Sequence, residues 1–188
     1  PKKITKMKIS CSFVALTALG WPARRSRADP RLCAARDAHM AAIADAVATH
    51  ADSIAHGLAT RGFADVDSFL SSETVSAMRA EADCMRAAGF MRTSESTRWD
   101  AQLERAVAYD KHNVLFSPIQ GGEMYEATPR LTEFCVALVG ALPDALNARV
   151  GSLQLSNKVH TNKLAVCLGD GSRYDKHIDN MGGDDVRK

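Results

Sequence analysis

A chain of 188 residues with 46% hydrophobic and 24% charged side chains is long enough for one domain with a buried core and is ordinary for a globular protein. That composition excludes a disordered or a repeat protein. The net charge of +2 hides an asymmetry: residues 1–36 hold nine basic groups against one acid, Asp29, a net +8, so the remaining 152 residues carry −6.

The basic head, residues 1–36, contains Lys2, Lys3, Lys6, Lys8, Arg24, Arg25, Arg27, Arg31 and Arg36. A basic head on a mildly acidic body reads as an appended tail and argues against a nucleic-acid-binding domain. Within it, Met7-Lys8 precedes the apolar run Ile9–Leu19, and Ser26-Arg27-Ala28 stands where a signal peptidase would cut, although the match is poor. The run is too short to cross a bilayer, so no transmembrane segment is expected. A secretory signal, an organellar transit segment and an unselected extension all remain open for this stretch. The sequence starts at Pro1, which suggests that the native N-terminus lies upstream. The five cysteines (Cys11, Cys33, Cys84, Cys135, Cys167) are odd in number and form no Cys-x-x-Cys pair. This favours reduced thiols and a cytoplasmic setting over a disulfide scaffold or a zinc-thiolate site.

Beyond the head, Ile43, Val47, Ile54 and Leu58 recur on one face at helical period, predicting a helix from about Ala35 to Thr60 that Gly62 stops. A short strand and a turn follow over 62–70. Ser71 or Ser72 is a good N-cap for a second helix with Glu73 in its first turn. Val75, Met78, Ala82 and Met85 form its inner face, and Gly89 ends it as the residue after the cap. Residues 91–130 are polar and hard to assign, with Val114-Leu115-Phe116 a candidate strand. Leu131, Phe134, Cys135, Leu138 and Leu142 predict a third helix from about Thr128 to Leu142, closed by Pro143. The texture then changes to short strands at Leu153–Leu155, Leu164–Leu168 and Tyr174–Ile178, separated by turns such as Gly169-Asp170-Gly171-Ser172. Helices beside a run of strands make an α+β domain.

The stretch from Lys163 to Asn180 carries the chemistry, centred on His177-x-Asp179. On a strand these two side chains share a face, so an imidazole and a carboxylate can occupy adjacent positions of a metal. Two histidines and one carboxylate on one face of Fe(II) form the facial triad of non-haem oxygenases. Taken alone, His-x-Asp is equally a surface histidine beside a turn acid. Other sites fail on spacing. Gly169-x-Gly171 lacks the third glycine of a dinucleotide loop, no lysine follows as a P-loop needs, and the acids at 175, 179, 184 and 185 miss the EF-hand register.

The order strand, Gly-x-Gly turn, Tyr174, His177-x-Asp179-Asn180 and a Gly/Asp-rich loop leading to Arg187 resembles the metal-binding segment of the prolyl 4-hydroxylase family of Fe(II)/2-oxoglutarate dioxygenases. It is most similar to the oxygen-sensing prolyl hydroxylase branch. Upstream, Gly62-Phe63, Phe69-Leu70 and Glu73-Thr74 resemble that family's support-helix region, so the likeness covers roughly residues 50–188.

The resemblance implies support helices packed on a double-stranded β-helix, or jelly-roll, core of which only the first strands are present. Residues 37–188 would then be the N-terminal part of the oxygenase domain. It implies Fe(II) as the metal, 2-oxoglutarate as co-substrate, ascorbate as reductant and a proline-containing peptide or protein as substrate. His177 and Asp179 correspond to the first two iron ligands, and Tyr174 to a residue facing the substrate channel. Arg187 matches a substrate-loop arginine, and Asp110-Lys111 matches the close of a loop over 91–112 that folds onto bound peptide. Cys167 stands where relatives place a tyrosine that helps hold 2-oxoglutarate, and a thiol is a weaker donor. The distal histidine and the basic clamp for 2-oxoglutarate come later in the family than this sequence reaches. The expectation is therefore a fragment of a longer product, inactive alone and prone to aggregate through its exposed sheet edge. A catalytically inactive peptide-binding module on the same fold is the alternative.

Overall fold

The structure, a computed structural model, describes residues 10–11, 30–119, 125–158 and 160–173. Helix α1 spans Pro30–Arg61, α2 Ser72–Ala87 and α3 Pro129–Asn147, and the strands are β1 (Ser10–Cys11), β2 (Arg92–Asp100), β3 (Arg105–Pro118) and β4 (Asn162–Cys167). The strands form one antiparallel sheet in the order β1-β4-β3-β2. The arrangement is α+β. No helix among the described residues is long and apolar enough to cross a membrane.

Helix α1 begins five residues before the position its apolar spacing predicts, with Pro30 as its first residue; a proline there has no N–H to leave unsatisfied. Its buried stripe is Ile43, Val47, Ala51 and Ala55, one residue every turn, with Ile54 and Leu58 only half-buried beside it. Small side chains in that stripe let neighbouring backbone come close. A Cβ on Gly57 would lie 2.9 Å from the Phe63 carbonyl oxygen, so the chain folds back tightly after α1.

The strand expected just after Gly62 is not formed. Residues 63–66 form no regular element and pair with no strand, because the backbone at Phe63 and Ala64 lies against Gly57 of α1. Helix α2 starts as expected: the Ser71 hydroxyl accepts from the Thr74 N–H at 3.2 Å. It ends with Gly89 at φ +76°, the Phe90 N–H donating to the Met85 carbonyl and the Gly89 N–H to that of Arg86. That pair of bonds is the Schellman arrangement.

Helix α3 runs through Pro143 to Asn147, further than the sequence suggests. Proline removes one bond to the preceding turn, but Pro143 and Leu146 are both buried, and that burial holds the last turn in place. The strand expected at Leu153–Leu155 is also absent. The Asn147 amide accepts from the Leu155 N–H and donates to the Leu155 carbonyl, both at 2.9 Å. One side chain thus meets the bonds a partner strand would have met. Strand β4 forms where expected. The expected strand Tyr174–Ile178 lies outside the described residues.

The polar stretch 91–112, expected as a loop, becomes β2 and the outer half of β3. Threonines at 93 and 97 and Trp99 recur at period two, a signal for a strand that the surrounding charges obscure. The hairpin is broken by a large bulge: between the pairs Thr93↔Leu115 and Glu95↔Asp110, Ser94 alone faces residues 111–114. Asn113, at φ +50°, takes the left-handed conformation that such a bulge demands.

One core joins the layers. Ile43 from α1, Met78 and Met85 from α2, Phe134 and Leu131 from α3, and Ile119 and Leu164 from the sheet pack together. Because side chains alternate along a strand, Leu164 points to the helices, while Lys163, Ala165 and Cys167 point to the opposite face. Glu81 on α2 accepts from the Arg130 N–H at 3.0 Å and the Leu131 N–H at 2.9 Å. Thr128, the N-cap of α3, makes no side-chain cap bond of its own, so a carboxylate from the neighbouring helix caps α3 instead.

Candidate functional site

Of the residues singled out in the sequence, Cys167 and Asp110 fall among the described residues, whereas Tyr174, His177, Asp179 and Arg187 lie outside them. The chain that leads to the outlying four is described as far as Arg173, and its course is specific. After β4 the Ser172 N–H donates to the Gly169 carbonyl at 3.0 Å. The central residues, Asp170 and Gly171, have φ of +46° and +81°. Those values match a type I′ turn, the form that joins antiparallel strands and favours Asp-Gly at its centre.

This turn is fastened to the bulge in β3. The Asn113 carbonyl accepts from the Leu168 N–H at 3.0 Å and from the Ser172 hydroxyl at 2.7 Å. The Asn113 amide donates to the Asp170 carbonyl at 3.1 Å. Thr93, Asp110, His112 and Leu168 line an open cleft of about 310 Å³ around this contact. Cys167 pairs with Val114 at the cleft's edge, with its thiol exposed and in no disulfide. Two segments that are far apart in sequence, Asp110-Lys111 and the Gly-Asp-Gly turn, are therefore brought to the same end of the sheet.

On the sheet face away from the helices, Arg92, Phe116 and Ala165 stand in one row across three strands. Lys163 reaches over this row and donates to the Ser94 hydroxyl at 2.8 Å. Its ammonium lies 4.2 Å from the centre of the Phe116 ring, and the Arg92 guanidinium lies 4.8 Å from it. Burial, with the like charges of Lys111 and Arg92, holds the Lys163 ammonium below the usual lysine value. The sequence reading missed Lys163, Ser94 and Asn113. A lysine opening an otherwise apolar strand was the one available signal.

Among the described residues no group of three His, Cys, Asp or Glu side chains is placed to hold a metal ion. His112 Nε2 accepts from the side-chain amide N–H of its chain neighbour Asn113 at 3.2 Å. No protein-family model, no curated protein and no solved structure matches this chain.

Proposed function

We propose that the chain carries the metal-binding half of an Fe(II)/2-oxoglutarate-dependent dioxygenase of the prolyl 4-hydroxylase kind, on a jelly-roll core supported by α1, α2 and α3. The observation that carries the reading is the Asp-Gly turn at 169–172, locked to β3 by Asn113. A turn of this type returns the chain antiparallel to the strand before it, which is what the His177-x-Asp179 motif requires of its own segment. An antiparallel sheet with helices on one face also agrees with a jelly roll and its support helices.

In this reading His177 and Asp179 hold the iron, a neutral imidazole and a carboxylate being suitable donors for Fe(II). The metal, with 2-oxoglutarate and O₂, supplies the oxidising chemistry that hydroxylates a C–H bond, and ascorbate keeps it reduced. The protein's own residues orient and exclude. Tyr174 faces the substrate channel, and Cys167 lies beside the co-substrate as a weak donor. Asp110 pairs with Arg187 and so holds the 91–112 segment over a bound peptidyl proline substrate. A third ligand, the second imidazole of the triad, is required, and the family resemblance puts it downstream of Asp179.

The alternative reading, a catalytically inactive peptide-binding module, draws on Cys167 taking the place of a stronger hydrogen-bond donor. Reading the transcript beyond Lys188 for a histidine followed by an arginine or lysine separates the two. The site itself is tested by Fe(II) retention after equilibrium dialysis of the full-length protein. His177→Ala and Asp179→Ala should each lose iron, and Asp179→Glu should lose it too, because the longer side chain displaces the carboxylate beyond what a metal site tolerates. Iron held equally by all of them would refute the ligand assignment.

A further inference from the structure

The face of the sheet away from the helices carries a concentration of positive charge that the iron reading does not use. Lys163 from β4 and Arg92 from β2 both lean on the Phe116 ring of β3, at 4.2 Å and 4.8 Å. Lys111, only 8% exposed and with an interaction of its own, lies near enough to act on Lys163. Holding Lys163 beside Arg92 is costly: like charges repel, and Lys163 has given up part of its hydration.

Among the described residues, what offsets that cost at Lys163 and Arg92 is small. An aromatic face attracts cations weakly. Ser94, fully buried, offers Lys163 a neutral hydroxyl at 2.8 Å, which satisfies one of the ammonium's three donors. Among the described residues neither Lys163 nor Arg92 forms an ion pair. The charges acting on Lys163 are those of Lys111 and Arg92, both positive. Surface lysines in such a position ordinarily turn outward into water. Lys163 is instead drawn across a strand and held there by a buried hydroxyl.

We propose that Lys163 and Arg92, both against the Phe116 ring, form a binding site for an oxyanion, the carboxylate or phosphate group of a small ligand. Lys163 supplies the ammonium as a point charge and Arg92 a planar guanidinium suited to two parallel bonds. Ser94 positions the ammonium. The site is independent of His177 and Asp179, and it is tested without metal so that its failure leaves the iron assignment untouched.

The experiment follows the side-chain amine of Lys163 by NMR in the full-length, metal-free protein, at constant ionic strength, as succinate or inorganic phosphate is added against sodium chloride. Binding should move the Lys163 resonance saturably with one or both oxyanions and not with chloride; the stronger of the two identifies the group. Lys163→Met should weaken that binding about tenfold or more, the usual loss for a bond to a charged group, and Arg92→Gln should weaken it less. Ser94→Ala should lower affinity by releasing the ammonium while keeping both positive charges. Three results would overturn the proposal: a response to chloride equal to that with the oxyanions, no saturation with either oxyanion, or undiminished affinity in a folded Lys163→Met protein.

Discussion

Lys163 shows how a single side chain departs from what its neighbours in sequence suggest. Its neighbours Leu164, Ala165 and Val166 read as strand and as core, but the position alternates to the other face and meets Ser94, sixty-nine residues earlier. Only folding could reveal that contact. The local signals were legible: the Ser71 cap and the Gly89 terminator each depend on bonds within a few residues, and both lie where the sequence puts them. The lowered proton affinity of Lys163 has a consequence for stability. The folded chain gives up this proton at lower pH than the unfolded chain, so stability should rise with pH between the lowered folded value and the ordinary 10.5. Lys163→Met removes the titration. The urea midpoint of the wild type relative to this variant should therefore increase through that window, and a constant difference would contradict the buried, like-charged environment.

At the level of elements, helices were easier to read than strands. The stripes of α1 and α2 repeat within one segment, whereas β2 is defined by its pairing with β3 across a bulge and is masked by charge. The proline rule failed at Pro143 because burial of Pro143 and Leu146 outweighed one lost backbone bond. The cap on α3 comes from another helix, which no local pattern discloses. Glu81→Ala should leave the Arg130 and Leu131 N–H groups without their partner and destabilise the protein by about 1–2 kcal/mol. Chemical denaturation would measure it, and a loss near zero would mean that water caps α3 equally well. In the proposed reading the β2–β3 hairpin would engage substrate, with Asp110, exposed on its outer half, paired with Arg187 over the proposed iron site. An exposed pair contributes only about 0–1 kcal/mol to stability, so its effect belongs in substrate binding. A double-mutant cycle on peptide affinity with Asp110→Asn and Arg187→Gln should show losses smaller in combination than their sum; simple additivity would dissociate the two residues.

Across the whole molecule, the α+β class followed from the change of texture after Pro143, from helical period to short apolar runs between turns. The candidate site was legible as a motif, because His177-x-Asp179 and its preceding turn are contiguous in sequence. The cleft beside the turn was not legible, because it joins Asp110 to Leu168 through a bulge that only the strand register reveals. The architecture places the Asp-Gly turn on a rigid support, with Asn113 bonded to three different groups of the 168–172 segment. In the proposed reading a firm support is what His177 and Asp179 would need, since a metal site works only when its donors are held close to the required geometry. The central claim is that the intact protein couples 2-oxoglutarate turnover to oxidation of a proline-containing peptide. The direct measurement supplies full-length protein with Fe(II), ascorbate, 2-oxoglutarate and a prolyl peptide library under air, and follows succinate together with the mass of each peptide. The account predicts succinate formation matched by the gain of one oxygen on proline, both abolished in His177→Ala. Succinate and hydroxylated peptide produced undiminished by His177→Ala would contradict it.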